Sequence, residues 1–234
     1  MQNKTRYHRK IILHKGHLTY GLVSIIAVCI CYFYVDRNAS FFFNSFRHTD
    51  FYNVFFCMQL LSSILEYAVP LVCIYSIVML FLKRFYYFEV FLFAAVSCLL
   101  ISRSVVHFLK YLFGRYWTKT FINNNLSLQN NAVYGFNFFH DGKTFESFPS
   151  GHSAVIFAVM TVVWIMYPRF RWLSVLCCIV VITGLLGCNF HFPSDIIAGA
   201  FIGVIAAYFV LHASQIFPIK LEEHEIKIYK WLKN

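Results

Sequence analysis

The sequence predicts an all-α membrane protein, a bundle of six transmembrane helices with both termini in the cytoplasm, and three observations lead there. Of 234 residues, 59% are hydrophobic and 13% charged, with a mean hydropathy of +0.62, a composition that excludes an ordinary soluble globular domain. Apolar runs of membrane-spanning length recur along the chain. The 20 Lys+Arg, against 10 Asp+Glu, fall between those runs, so their partner is the membrane surface and not nucleic acid.

The runs lie near 18–35, 64–82, 86–112, 152–167, 172–190 and 196–216, each close to the ~20 residues a bilayer core requires as helix. Residues 1–17 carry Lys4, Arg6, Arg9, Lys10 and Lys15. The run that follows is long enough to span and has no small-residue cleavage site after it, so it reads as a retained first helix rather than a signal peptide. The positive-inside rule then holds the N-terminus in the cytoplasm and asks every second loop to be basic. Lys83 and Arg84 follow the second run, Arg169 and Arg171 the fourth, and Lys220, Lys227, Lys230 and Lys233 the sixth. The chain reads as one membrane domain over 1–234, with a basic cytoplasmic N-terminus at 1–17, a core at 60–216 and a cytoplasmic tail at 217–234.

The opposite-side segments, 36–63, about 113–151 and about 191–195, hold most of the residues able to do chemistry, so the outer face is the functional one. Residues 41–57 (FFFNSFRHTDFYNVFFC) are too polar to span; Phe41, Phe42, Phe43, Phe46, Phe55 and Phe56 suit either a helix lying along the interface or an aromatic-belted loop. The 113–151 stretch is too long for a turn and has the length of a lid or binding element. Cys29, Cys31, Cys73, Cys98, Cys177, Cys178 and Cys188 fall within or at the ends of apolar runs and read as small buried apolar residues rather than a disulfide framework.

Ionisable residues in or beside a membrane are costly, which makes each one a functional hypothesis. Arg103, His107 and Lys110 are four and three residues apart, which stacks them on one face of the third span toward its outer end. They form an anion site, or else Lys110 and Arg115 only snorkel to head groups. Pro149-Ser150-Gly151-His152 stands where the fourth run begins. Ser150 resembles an N-cap; the helix start beyond it offers free N–H groups and the positive dipole end, Gly151 lets an anion approach the backbone, and His152 titrates near neutral pH. Two spans later comes His191-Phe192-Pro193-Ser194-Asp195. Two antiparallel crossings return the chain to the side it left, so His152 and His191 can meet. The spacing to Asp195 suits a carboxylate that accepts one imidazole proton and frees the other nitrogen as nucleophile or base. Taken singly, His191 also fits an interfacial histidine and Asp195 an N-cap of the last helix.

KYLFGR (110–115), PSGH (149–152) and HFPSD (191–195), in this order on six spans, resemble the type 2 phosphatidic acid phosphatase superfamily over roughly residues 60–215. The resemblance implies an integral-membrane, metal-independent lipid phosphatase without a cofactor, working through a phosphohistidine. Carried over position by position, it implies that Lys110 binds phosphate, Ser150 and the Gly151 amide line the oxyanion site, His152 protonates the leaving alkoxide, His191 is the nucleophile and Asp195 orients it. Two departures stand out. The usual first motif ends in Arg-Pro seven residues after its Lys, where this chain has Trp117 and Thr118, and the usual Arg six residues before the nucleophilic His is Leu185. Arg103 and Arg115 flank Lys110 and can restore the charge, and Asn189 can donate a neutral hydrogen bond; the alternative is a silent protein that binds anionic lipid. The expected substrate is a phospholipid, a polyprenyl diphosphate or a phosphorylated glycolipid such as lipid A, in a bacterial-type inner membrane with the site on the periplasmic face. Transfer of the phosphoryl group to a lipid acceptor is the second enzymatic possibility.

Overall fold

The computed structural model describes residues 17–82 and 87–214. The basic clusters of residues 1–16, Lys83 and Arg84, and the tail beyond residue 214 lie outside the described residues, and with them the charge argument for the two termini. The elements are α1 (His17–Ile30), a π-helical turn (Cys31–Val35), α2 (Asp36–Asn44), α3 (Phe51–Phe81), α4 (Tyr87–Phe113), the short α5 (Leu128–Asn131), α6 (Gly151–Met166), α7 (Arg171–Gly187) and α8 (Pro193–Ser214). Among the described residues the fold is all-helical, joined by turns and isolated bridges.

Among the described residues, five stretches are long and apolar enough to cross a membrane: Thr19–His48, Phe51–Met79, Tyr87–Phe113, Pro168–Gly187 and Pro193–Ala213. The remaining expected span, α6, has 16 residues, about 24 Å of helix. It is the most enclosed element, packed against α4, α7 and α8, with Ala154, Val155, Ile156, Ala158 and Val162 fully buried. A helix surrounded by protein need not match the bilayer thickness by itself.

The second span departs from the sequence reading. It begins at Phe51 rather than near residue 64, because Asn53 and Gln59 are accommodated inside the 31-residue α3. Residues 41–57 are therefore mostly helical rather than an aromatic-belted loop. They are the end of α2, a 3-10 turn at Ser45–His48 and the first turns of α3. The cysteines are free. Cys98 and Cys188 are buried as expected, whereas Cys29 lies on the exposed surface, which in a spanning helix faces lipid.

Small residues set the closest approaches. A Cβ on Gly199 or Gly203 of α8 would overlap the carbonyl oxygens of Ser150 and Ala154, and one on Gly184 of α7 would overlap the α3 backbone at Phe55 and Gln59. Backbone contact of this kind is how helices associate where no hydrophobic drive separates protein from lipid. It locks the start of α6 against the start of α8, the two places where the chemical motifs lie.

Candidate active site

The site is assembled at one end of the bundle, where α4 ends and α6 and α8 begin. Gly114 terminates α4 with φ +53°, and a side chain there would collide with the Asn137 carbonyl. Only a residue without Cβ makes this turn cheaply. The 114–150 segment then folds back over the helix ends through Asn137 N to Gly114 O (2.7 Å), Leu128 N to Trp117 O (3.0 Å) and Ser147 N to Arg115 O (3.1 Å). The long connection expected as a lid or binding element is a hydrogen-bonded wall of the site.

Ser150 caps α6, its hydroxyl accepting from Ser153 N at 3.3 Å, while its own N–H donates to the Asp195 carbonyl at 3.0 Å. The first-turn amides beyond it, Gly151 and His152, have no intrahelical acceptor, and the helix dipole favours an anion there. Across this point the His152 and His191 rings stand 6.5 Å apart between centroids. His191 is 4% exposed, and its Nδ1 lies 3.4 Å from Asp195 Oδ2. Burial lowers the His191 pKa below its ordinary value against the opposing pull of Asp195, which leaves a neutral imidazole at neutral pH.

Asp195 is fully buried and well held. Its carboxylate accepts from Ser147 Oγ (2.7 Å), from Phe192 N (3.1 Å) and from Arg115 Nη1 (2.5 Å).

The two arginines fall in different places. Arg115, expected to bind substrate phosphate, is 0% exposed. Its Nη1 serves Asp195 and Ser194 Oγ, its Nη2 serves Asp36 Oδ2 at 2.7 Å and Tyr134 OH at 3.1 Å, and rings of Tyr32, Tyr134, Phe136 and Phe192 surround it. Burial opposes its charge, but Asp195 and Asp36 raise its pKa above the free value. The turn at Gly114 points the chain after α4 inward and sets Arg115 against Asp195. Arg103 takes the forward place. Its Nε lies 3.6 Å from Glu66 Oε1, and its Nη1 comes so close to Gly151 that a Cβ there would overlap it.

Arg103, His107 and Lys110 do share a face, lining with Ser104, Val106, Lys143 and Glu146 a cavity of about 370 Å³. Lys110 Nζ lies 3.9 Å from Glu146 Oε2 and 5.7 Å from the centre of the Trp117 ring. Trp117, one of the two departures from the family motif, lies against His191 with ring centroids 5.3 Å apart and planes tilted by 41°, and donates its indole N–H to the Lys143 carbonyl. Asn189 adopts φ +54°, accepts from Thr118 Oγ1 through its carbonyl, and its buried Nδ2 has no hydrogen-bond partner among the described residues. Leu185 is buried in the α6–α7 core. No group of three or more His, Cys, Asp or Glu side chains that could hold a metal ion occurs among the described residues.

Asp36, Ser147, Glu146 and Tyr134 went unread in the sequence. Asp36 had a signal, a carboxylate closing an apolar run, which the cost of intramembrane charge marks out.

A profile of the PAP2 superfamily matches residues 90–217. Among curated proteins, the chain is 34% identical over 86 residues to a lipid A 1-phosphatase of Rhizobium johnstonii, covering 37% of this chain and 34% of that protein. It is 35% identical over 72 residues to a lipid A 1-phosphatase of Rhizobium etli, covering 31% of each. It is 31% identical over 65 residues to the bacitracin transport permease protein BcrC of Bacillus licheniformis, covering 28% of this chain and 32% of that protein. The chain thus spans about a third of the length of the curated relatives it matches. No solved structure matches it. With the profile covering more than half the chain and the PSGH and HFPSD motifs inside the match, the protein belongs to the PAP2 superfamily, the type 2 phosphatidic acid phosphatases.

Proposed function

We propose that this multi-pass membrane protein is a lipid phosphatase that removes a phosphate from a membrane lipid through a phosphohistidine. The observation that carries the reading is the convergence of His152 and His191 at the capped N-terminus of α6, with Asp195 behind His191. In the proposed first step, His191 Nε2 attacks phosphorus while its Nδ1–H donates to Asp195. The N–P bond forms, the P–O bond to the lipid breaks, and His152 gives its proton to the departing lipid oxygen. In the second step water attacks the phosphohistidine, His152 takes a proton from that water, and the N–P bond breaks to release inorganic phosphate. Lys110, Arg103 and the Gly151 amide hold the phosphoryl oxygens as their charge shifts, with the Ser150 cap fixing that amide and Asn189 Nδ2 a further donor.

The cavity beside α4 supports a lipid substrate, because Arg103, Ser104 and His107 are exposed on that helix and a head group can enter from the side while its tails stay in the bilayer. A phosphorylated glycolipid such as lipid A is the first candidate, given the two Rhizobium relatives; phospholipids and polyprenyl diphosphates follow. The proposed topology has six spans, α6 among them, both termini in the cytoplasm, and the site on the periplasmic face of a bacterial inner membrane. The experiment is phosphate release by purified protein from a panel of these lipids with excess chelator present. Release abolished by His191→Ala is expected; no release from any lipid, or activity that returns only with added magnesium, overturns the reading. Labelled phosphate appearing on a second lipid instead of in water would reassign the protein as a phosphotransferase.

A further inference from the structure

Asp36 has no place in the motifs and lies outside the family match, on the N-terminal helices, yet it is 0% exposed and meets the machinery at three points. It pairs with Arg115 Nη2 at 2.7 Å, accepts from the Ser194 backbone N–H at 3.0 Å, and accepts from Ser194 Oγ at 2.5 Å. The first of these partners holds Asp195, and the other two belong to the residue that precedes it. The local backbone is built for this. A π-helical turn at Cys31–Val35 breaks the α-helical phase immediately before Asp36, whose N–H closes it on Cys31 O. Phe33, Tyr34 and Val35 of that turn are exposed while Asp36 is not. Turns of this kind concentrate at functional sites.

Charge counting shows why two carboxylates are needed. Arg115 is enclosed by four aromatic rings, so its charge is balanced only by its carboxylate partners, Asp195 and Asp36. With Asp195 alone, the guanidinium would neutralise the carboxylate that His191 needs. With Asp36 sharing it, the Asp36–Arg115–Asp195 row keeps one net negative charge for the imidazole.

Resting on the phosphohistidine reading above, we infer that Asp36 is a positioning residue for the nucleophile: it balances Arg115 and fixes the start of α8, so that Asp195 keeps both its place and its charge toward His191. His191 is faced by Asp195 of α8, His152 of α6, Lys110 of α4 and, from the 114–150 segment, the Trp117 ring and the Ser147 backbone. Asp36 acts on it through Arg115 and Asp195.

The test compares wild type, Asp36→Asn and Ser194→Ala with His191→Ala on one lipid substrate. Removing the Asp36 charge leaves Arg115 to be balanced by Asp195 alone, which takes the net negative charge away from His191 and disfavours the imidazolium. Asp36→Asn should therefore lower kcat by about 10- to 100-fold, the range seen when the partner behind an oriented histidine is lost, with KM within about twofold. The acid limb of its pH–rate profile should move to lower pH. Ser194→Ala removes the hydroxyl that accepts from Arg115 and donates to Asp36 but leaves the three charges paired, so it should fold and show the same changes in smaller measure. A purely structural role would leave the acid limb of both variants where wild type has it, and that result overturns the inference, as does a rise in KM at unchanged kcat. Should Asp36→Asn not fold, the limb of Ser194→Ala decides alone. Inactive wild-type protein would instead count against the phosphatase reading itself.

Discussion

Arg115 and Asp195 form a fully buried ion pair, Nη1 to Oδ1 at 2.5 Å, with neither side chain exposed to solvent. The arginine nearest Lys110 in sequence thus stands behind Asp195, and Arg103 is the arginine that lines the cavity with Lys110.

The two arginines should therefore fail in different ways. Arg103→Ala is expected to lower kcat by about 30- to 1,000-fold, the loss of one charge-assisted contact of roughly 2–4 kcal/mol to the transition state, with thermal stability in detergent nearly unchanged. Arg115→Ala strands Asp36 and Asp195 together in the interior and should cost about 3–5 kcal/mol of stability. Melting curves and turnover on the same preparations separate the two; a stable, tenfold-slower Arg115→Ala would show the assignments reversed.

His152→Ala should slow phosphate release from a lipid by about 10²- to 10⁴-fold, the usual worth of a positioned acid. The loss should shrink on an aryl phosphate, whose leaving group departs without a proton. Equal losses on both substrates would mean that His152 does not protonate the leaving oxygen.

Glu146 holds Lys110 at 3.9 Å and Lys143 at 3.2 Å, so an arriving phosphate competes with a carboxylate. Partly exposed pairs of this kind are worth about 0.5–1 kcal/mol, and Glu146→Gln should lower KM by about two- to fivefold at unchanged kcat. Initial rates across substrate concentration check it, and an increase in KM would show that Glu146 contacts substrate instead.

Burial lowers the His191 pKa, so the reactive neutral form persists below the ordinary histidine value of about 6.5. The acid limb of kcat/KM assigned to His191 should lie under that pH. The sign for stability follows: the unfolded chain takes up this proton first as pH falls, so acid destabilises the fold through this group. A limb near or above 7 would refute a buried neutral nucleophile.

Asn124 is exposed in the 114–150 segment and Arg169 is exposed at the other end of α6. In intact cells an impermeant thiol reagent should label Asn124→Cys and spare Arg169→Cys, after replacement of the exposed native cysteines Cys29 and Cys57. The opposite pattern would invert the topology.

The helices α4, α6, α7 and α8 were legible because each is an apolar run closed by a polar or basic signal. His152 and His191 were legible because two crossings must bring the chain home. The start of α3 was not, since Asn53 and Gln59 read as loop in a window of composition but sit inside a helix once Gln59 packs at the Gly184 contact. The fate of Arg115 was hidden for a related reason. Which way a residue points after a helix depends on the backbone at Gly114 and on partners as distant as Asp36, 79 positions away. Local spacing placed Lys110 and Arg115 together; the turn separated them.

The π turn at Cys31–Val35 makes the first span a matter of counting rather than chemistry. Upstream, Gly21 of α1 sits 3.5 Å from the Phe201 ring of α8, measured from the position of a Cβ; downstream, Asp36 reaches Arg115. The surplus residue in the turn reconciles those two anchors. Deleting any one residue between them would rotate one against the other by about 100°, so that either α1 leaves its seat or Asp36 swings toward lipid. Lipid-facing positions such as Phe33 and Tyr34 can accept other apolar side chains freely, whereas the length of this segment is fixed.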